Sequence, residues 1–229
     1  TNVRYDHIFE MGESLEEIAE GLSAVIPTGG VLFTGDQTFF PLFQTRCRET
    51  GTEIVLCPGD GSPGSENRAI ARAIGERLGI TPDRFPASAD FYHADFGACK
   101  CYPMGERRFL DLFSANDPES SLLLLREHFP PEEELTLIYN HRPDRPDRLL
   151  LFLRCFFPQV SCHKVVVLGQ GRRLAWRLLR RAGVKRVELA SGWREALSRA
   201  DSKNIAGIGN IKGQAYELVA FLERGGIDE

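Results

Sequence analysis

The sequence predicts an α/β protein whose C-terminal portion is a doubly wound, Rossmann-like, mostly parallel sheet. Three observations predict it. Strand-like and helix-like segments alternate along most of the chain. Residues 165–168 read Val-Val-Val-Leu, the unbroken apolar run of a strand buried on both faces. Two glycine-bearing turns, at 169–171 and 207–213, each follow a strand and open a helix, and ligands bind sheets of this kind beyond the strands' carboxyl ends.

Short elements fill the first part. Ser14 and Glu17 form a capping box. Leu15, Ile18, Ala19, Leu22, Val25 and Ile26 recur at helical spacing, so residues 14–26 predict an amphipathic helix that Pro27 and Gly29-Gly30 end. Residues 31–34 read as an apolar strand, 37–49 as a helix, 52–57 as a strand and 59–64 as a loop. Residues 67–78 predict a second clear helix with Gly79 as its C-cap. With few strands and no obvious first strand, residues 1–107 read as the back half of a domain whose front half is missing.

The alternation is clearer from residue 108. Residues 108–112 are strand-like; Asp117 is placed to cap the next helix and Pro118 to occupy its first position. Strands follow at 135–139, 165–168, 184–189 and 204–208, and helices at 147–157, 172–182, 193–199 and 214–223. Residues 108–229 thus read as a complete doubly wound domain.

An apolar share of 42% suffices for a core, and a net charge of −4 excludes a general nucleic-acid binder. No run approaches 18 apolar residues, so no bilayer span is encoded. The chain opens on Thr1 without a signal-peptide pattern or an initiator Met, and so reads as a fragment or processed product. Six cysteines include no C-x-x-C pair, which points to reduced, buried thiols in a cytosolic protein, with a zinc site as the alternative.

Several constellations could carry chemistry. In Asn140-His141-Arg142-Pro143-Asp144-Arg145-Pro146-Asp147-Arg148, Arg142 and Arg145 can each fork onto a carboxylate or phosphate; the alternative is a solvated loop with internal Asp–Arg pairs. Gly207-Ile208-Gly209-Asn210-Ile211-Lys212-Gly213 is one residue off the dinucleotide fingerprint, and a tight strand-to-helix turn explains it equally. At Gly169-Gln170-Gly171 the third glycine is replaced by Leu174, so a plain turn is expected. Residues 59–65 lack the Gly-Lys-Ser/Thr of a phosphate loop, and no such loop occurs elsewhere. His7 beside Asp6 can ligate a divalent cation or serve in acid–base chemistry, or be merely structural. Arginines at 172, 173, 177, 180 and 181 with Lys185 and Arg186 surround an apolar stripe; such a face meets solvent, acidic lipid or a polyanion.

Five segments, in order, carry a family resemblance: Thr1 to His7 with Met11-Gly12, the stretch 89–98 ending Asp95-Phe96-Gly97-Ala98, Phe113-Ser114-Ala115-Asn116-Asp117-Pro118-Glu119-Ser120, Asn140 to Arg145, and Gly207 to Gly213. Together they resemble the ligase subunit of poly-γ-glutamate synthase (CapB/PgsB type), a relative of the Mur ligases. The resemblance implies the back half of a Mur-type ATPase domain at 1–107 and the Mur-type C-terminal domain at 108–229. It implies an ATP-dependent amide ligase using Mg2+, in which a glutamate carboxylate is phosphorylated and the next glutamate's amine attacks. By position it makes His7 a magnesium ligand, Asp111 the ribose contact, Asn116 and Asp117 part of a nucleotide-side hinge, and Lys100 a catalytic residue beside the γ-phosphate. Arg142, Asp144, Arg145 and Asn210 would line the incoming glutamate or growing poly-glutamate chain, with Arg142 and Arg145 catalytic. The implied partners are an ATPase segment bearing the phosphate loop and membrane subunits of the synthase, with no nucleic acid. The implied location is the cytoplasm, at the inner face of the membrane. The lysine that many Mur ligases carbamylate would fall near Leu22 and is not there. The alternatives are a non-catalytic nucleotide- or anion-binding assembly module and a folylpolyglutamate-type or cell-wall ligase. Lacking the loop, the chain alone is expected not to turn over ATP.

Overall fold

A computed structural model describes residues 2–61, 64–80, 99–115 and 117–226. The expectations for residues 89–98 and for Asn116 therefore lie outside the described residues. The chain divides into two compact units, Thr1–His93 and Ala94–Glu229.

The first unit runs α1 (Ile8–Met11), α2 (Leu15–Ala24), β1 (Val31–Thr34), α3 (Phe40–Thr50), β2 (Glu53–Leu56) and α4 (Ser65–Arg77). The capping box of α2 is complete: the Glu17 N–H donates to Ser14 Oγ at 3.1 Å, and the Ser14 N–H to Glu17 Oε2 at 3.2 Å. β1 and β2 pair in parallel, Val31 beside Glu53. Val3, Ile18, Ala19, Ile26, Phe43 and Cys47 form a small core. α4 starts at Ser65, earlier than the periodicity suggests, because Gly64 takes a left-handed φ of 71° just before it.

The second unit contains β3 (Lys100–Met104), β4 (Arg107–Asp111), α5 (Pro118–His128), β5 (Leu135–His141), α6 (Pro146–Leu151), β6 (Lys164–Gly169), α7 (Arg172–Arg181), β7 (Val187–Leu189), α8 (Trp193–Arg199), β8 (Asn204–Gly209) and α9 (Gln214–Glu223). Its sheet has the order β3-β4-β8-β5-β6-β7. Only β3 is antiparallel. The unit begins ahead of the 107/108 boundary expected from sequence, since β3 pairs with β4 and belongs to this sheet.

Side chains alternate between two apolar layers. Leu110, Leu137, Tyr139, Val165, Val167, Ala206 and Ile208 join α5, α6 and α7 on one face. Phe109, Ile138, Val166, Leu168 and Ile205 join α8 and α9 on the other. Both faces are thus covered, as the unbroken valine run of β6 requires.

Two expected elements differ. The helix expected over 147–157 is α-helical only to Leu151, then a π-turn (Phe152–Phe156) and a 3-10 turn (Phe157–Gln159). An α-helix turns by about 100° per residue, from 3.6 residues per turn. The wider turn lets Phe152, Phe156 and the adjacent Phe157 all be buried, with ring centroids 5.2 Å and 5.5 Å apart along the series. The strand expected over 184–189 is shortened to β7, because Gly183 takes φ 90° and the Val184 N–H turns back to Leu179 O at 3.1 Å.

Gly207 in β8 tests the packing. A Cβ there would lie 2.3 Å from the Phe113 ring and 2.9 Å from Phe109. Gly207→Ala is expected to destabilise the chain by about 1–3 kcal/mol, the usual cost of overpacking, read as a lower urea midpoint at unchanged m-value.

Candidate functional site

The β-strands of the second unit end at a cleft of about 530 Å³, lined by Asn140, His141, Arg142, Pro143 and Asp144 after β5, Gly169, Gln170 and Arg172 around the β6–α7 turn, Ser191, and Lys212, Gly213 and Gln214 at the start of α9. It lies where the strand order reverses. β5 leads through α6 to β6 on one side, while β8 sits on its other side. That is the switch point at which open parallel sheets bind ligands. The first residues of α7 and α9 both line it, and helix starts favour anions.

The floor is held by Asn140. Its Nδ2 donates to Asn210 O at 2.6 Å and Lys212 O at 2.9 Å. In return the Asn210 N–H and Nδ2 both donate to Asn140 O at 3.2 Å. Arg148, buried beneath, donates from Nη1 to Gly209 O at 3.2 Å and Asn210 Oδ1 at 3.0 Å. Two glycines make room. A Cβ on Gly209 would lie 2.7 Å from Asn140 O, and one on Gly169 would lie 2.2 Å from His141 O. Gly209 thus admits the neighbouring Asn140 backbone, and Gly169 lines the cleft as well as turning the chain.

Charge gathers at the rim. Arg142 forks onto Asp144, with Nε 3.0 Å from Oδ1 and Nη2 on Oδ2, which holds the exposed Asp144 carboxyl below its usual range. Arg172 and Lys212 add two cations, so three positive side chains and one carboxylate line the cleft. His141 is buried, its two ring nitrogens have no hydrogen-bond partner among the described residues, and burial pushes its pKa down, which favours the neutral imidazole.

The structure brings Arg142 and Asp144 together in the cleft and leaves the other sequence-predicted residues outside its lining. Asn210 backs the floor. Arg145 turns toward Asp147 at the start of α6, 3.5 Å away. Asp117 caps α5, its Oδ1 accepting the Ser120 N–H at 2.7 Å. Asp111 ends β4, fully buried, with Oδ1 accepting the Phe113 N–H at 3.0 Å and Oδ2 without a partner. Burial raises its pKa to about 7, against the hydrogen bond from Phe113. Lys100 lies on the edge strand β3, its Nζ on Glu223 of α9 at 2.9 Å. Both sit on the β4 side of the sheet, away from β5 and β6.

In the first unit, His7 takes a left-handed φ of 50° and has Asp6 and Glu10 carboxylates 3.8 Å from its ring. Among the described residues no group of three or more His, Cys, Asp or Glu is arranged to hold a metal ion. These residues alone do not complete a divalent-cation site. All six cysteines are free; Cys47 and Cys57 are buried and the others half-buried. Burial pushes the Cys99 thiol up to about 12 and Cys162 to about 11, which makes them inert. Among the described residues no helix is long and apolar enough to cross a membrane.

His141, Arg148 and Lys212 lie inside segments the sequence singled out, without a role of their own, and Gln170 and Arg172 were not read as parts of the site. Arg172 and Lys212 were legible as cations at two helix starts.

A parallel sheet with a cleft at its switch point is an arrangement in which open α/β sheets bind ligands. Residues 101–225 match the poly-gamma-glutamate synthase CapB C-terminal domain, and the chain belongs to that family. The capsule biosynthesis protein CapB of Bacillus anthracis is 28% identical over 96% of this chain and 53% of its own length. The PGA synthase CapB of Bacillus subtilis is 27% identical over 74% and 48%. The chain thus spans about half the length of the curated relatives it matches. A folylpolyglutamate synthase/dihydrofolate synthase, solved with Mn, AMPPNP and L-glutamate bound, superposes with a TM-score of 0.63 at 14% identity, over 96% of this chain and 60% of its own. At that identity it shows a shared fold.

Two outcomes test this geometry. Asn140→Ala removes the donor that satisfies two backbone carbonyls and is expected to cost about 2–4 kcal/mol, since each buried orphan costs about 1–3 kcal/mol, read by urea denaturation. Asp111 is protonated in the folded chain up to about pH 7 but ionises near 4 when unfolded, from the reference value of about 3.9. Its contribution is full below the unfolded pKa and is lost as pH rises through the folded one. Asp111→Asn is therefore expected to flatten the fall in stability between about pH 4 and about pH 7, measured by thermal melts across that range.

Proposed function

We propose that this chain is the downstream part of an ATP-dependent ligase that joins glutamate units into poly-γ-glutamate, and that the cleft receives the incoming glutamate. The observation that carries the reading is the charge of the cleft, three cations and one carboxylate between two helix starts, in a chain of the CapB family. Glutamate has the complementary pattern, two carboxylates and one ammonium. Arg142, Arg172 and Lys212 hold its carboxylates, and Asp144, released from the Arg142 fork, receives the ammonium. Asn140 and the buried Arg148 keep the strand ends in register beneath it, so the amine is presented in one orientation.

The first unit is read as the back half of the ATPase domain and the second as the ligase C-terminal domain. Asp111 would contact the ribose and Asp117 lie in the nucleotide-side hinge, with Lys100 on the γ-phosphate side. ATP with Mg2+ supplies the phosphoryl group that activates the acceptor carboxylate. His7 contributes one ligand of a set completed outside these residues. The fold shared with a folylpolyglutamate synthase supports the ligase reading, and the relatives' capsule and PGA names support the polymer.

Calorimetry with the purified chain tests the cleft. Glutamate of one or the other hand is expected to bind and alanine not to. Arg142→Gln is expected to weaken glutamate about tenfold, or about 1.4 kcal/mol. Equal binding of alanine and glutamate would remove the reading. ATP turnover by the chain alone is expected to be nil; steady ADP release in a coupled assay would contradict it.

A further inference from the structure

Residues 148–187 contain no Asp or Glu, in a chain whose net charge is −4. The cations of that stretch concentrate on α7. Arg173, Arg177 and Arg181 recur at i, i+4 and i+8 and are exposed, which sets them along one side of the helix. Lys185 continues the run beyond it. None of these four forms an ion pair among the described residues. Unneutralised like charges on one helix repel one another, so the row costs stability unless something anionic covers it. The helix starts at the cleft, where Arg172 is part of the lining, and its ten residues run about 15 Å away from it at 1.5 Å per residue.

The apolar side of α7 is already used. Ala175 and Leu179 are buried against the sheet, Leu178 is half-buried in the same layer, and the Trp176 Nε1 donates to Val187 O at 2.9 Å. A helix that lies in a membrane surface keeps its apolar side for the lipid; here only Leu174 is left exposed. The remaining face is guanidinium, which forks onto carboxylates.

We propose that the arginine row of α7, Arg173, Arg177 and Arg181, is a binding track for a polycarboxylate chain, leading from the cleft across the outer surface of the second unit. The proposal rests on the reading of the cleft as a glutamate site. The track extends it, since the polymer carries one free carboxylate per unit and meets successive guanidiniums a helical turn apart.

The test uses the 229-residue chain and end-labelled poly-γ-glutamate in fluorescence anisotropy, with monomeric glutamate measured separately by calorimetry. The triple variant Arg173→Gln, Arg177→Gln, Arg181→Gln is expected to lose polymer affinity by about tenfold or more and to show a shallower salt dependence, with glutamate binding unchanged. The corresponding triple lysine variant is expected to keep most of the polymer affinity, which separates loss of charge from loss of fold. Polymer binding unchanged in the glutamine variant, with glutamate still bound, would overturn the track and leave the cleft reading standing. Failure of the unaltered chain to bind glutamate would count against the cleft itself. If the glutamine variant instead loses only its binding to phosphatidylglycerol vesicles, the face belongs to a membrane surface and the track is wrong.

Discussion

The carboxyl ends of β5, β6 and β8 meet at one amide. Asn140 hydrogen-bonds the backbone on both sides of Asn210 and is approached so closely by Gly169 and Gly209 that neither could carry a side chain. The cleft depends on that exchange. Its walls are the loops leaving those strands, and the positions of Arg142, Arg172 and Lys212 follow from where the strands stop. Buried donors and acceptors of this kind are costly unless all are met, and here the amide and the two carbonyls it serves satisfy one another.

The opposite end of the same sheet is held by charge. Lys164, almost fully buried at the start of β6, reaches Asp201 at 2.7 Å, Glu188 at 3.4 Å and the Arg199 carbonyl at 2.8 Å. The pairing holds the Asp201 carboxyl below its usual range. A neutral amide network at the ligand end and an ion-pair network at the base divide the work. The base fixes the strands, and the carboxyl edge keeps its cations unpaired or in exchangeable pairs such as Arg142–Asp144.

Much of this was legible in the sequence. The valines of β6, the Ser14–Glu17 box and the Asp117-Pro118 helix start are local signals, each decided within a few residues, and each is formed. The cleft was legible where its residues are strand-end arginines and helix starts. The role of Asn140 was not, because its partners lie 70 and 72 residues away and amides carry no periodic mark. β3 escaped for another reason. Pro103 argues against a strand wherever every N–H must be paired, but β3 lies at the sheet edge, where one side need not donate. The π-turn at 152–156 arises from three phenylalanines that all find the core, a tertiary demand that helical spacing alone does not reveal.

The two border strands bear on how the molecule behaves among copies of itself. β7 is three residues long, with Glu188 at its centre paired to Arg186 just before it, and β3 carries Lys100 and Pro103. An unpaired border is a template on which a further chain can add, and brevity, charge and proline each spoil the template. The sheet can therefore present a sticky apolar interior during folding and still, once complete, offer no long ladder for fibril-like growth.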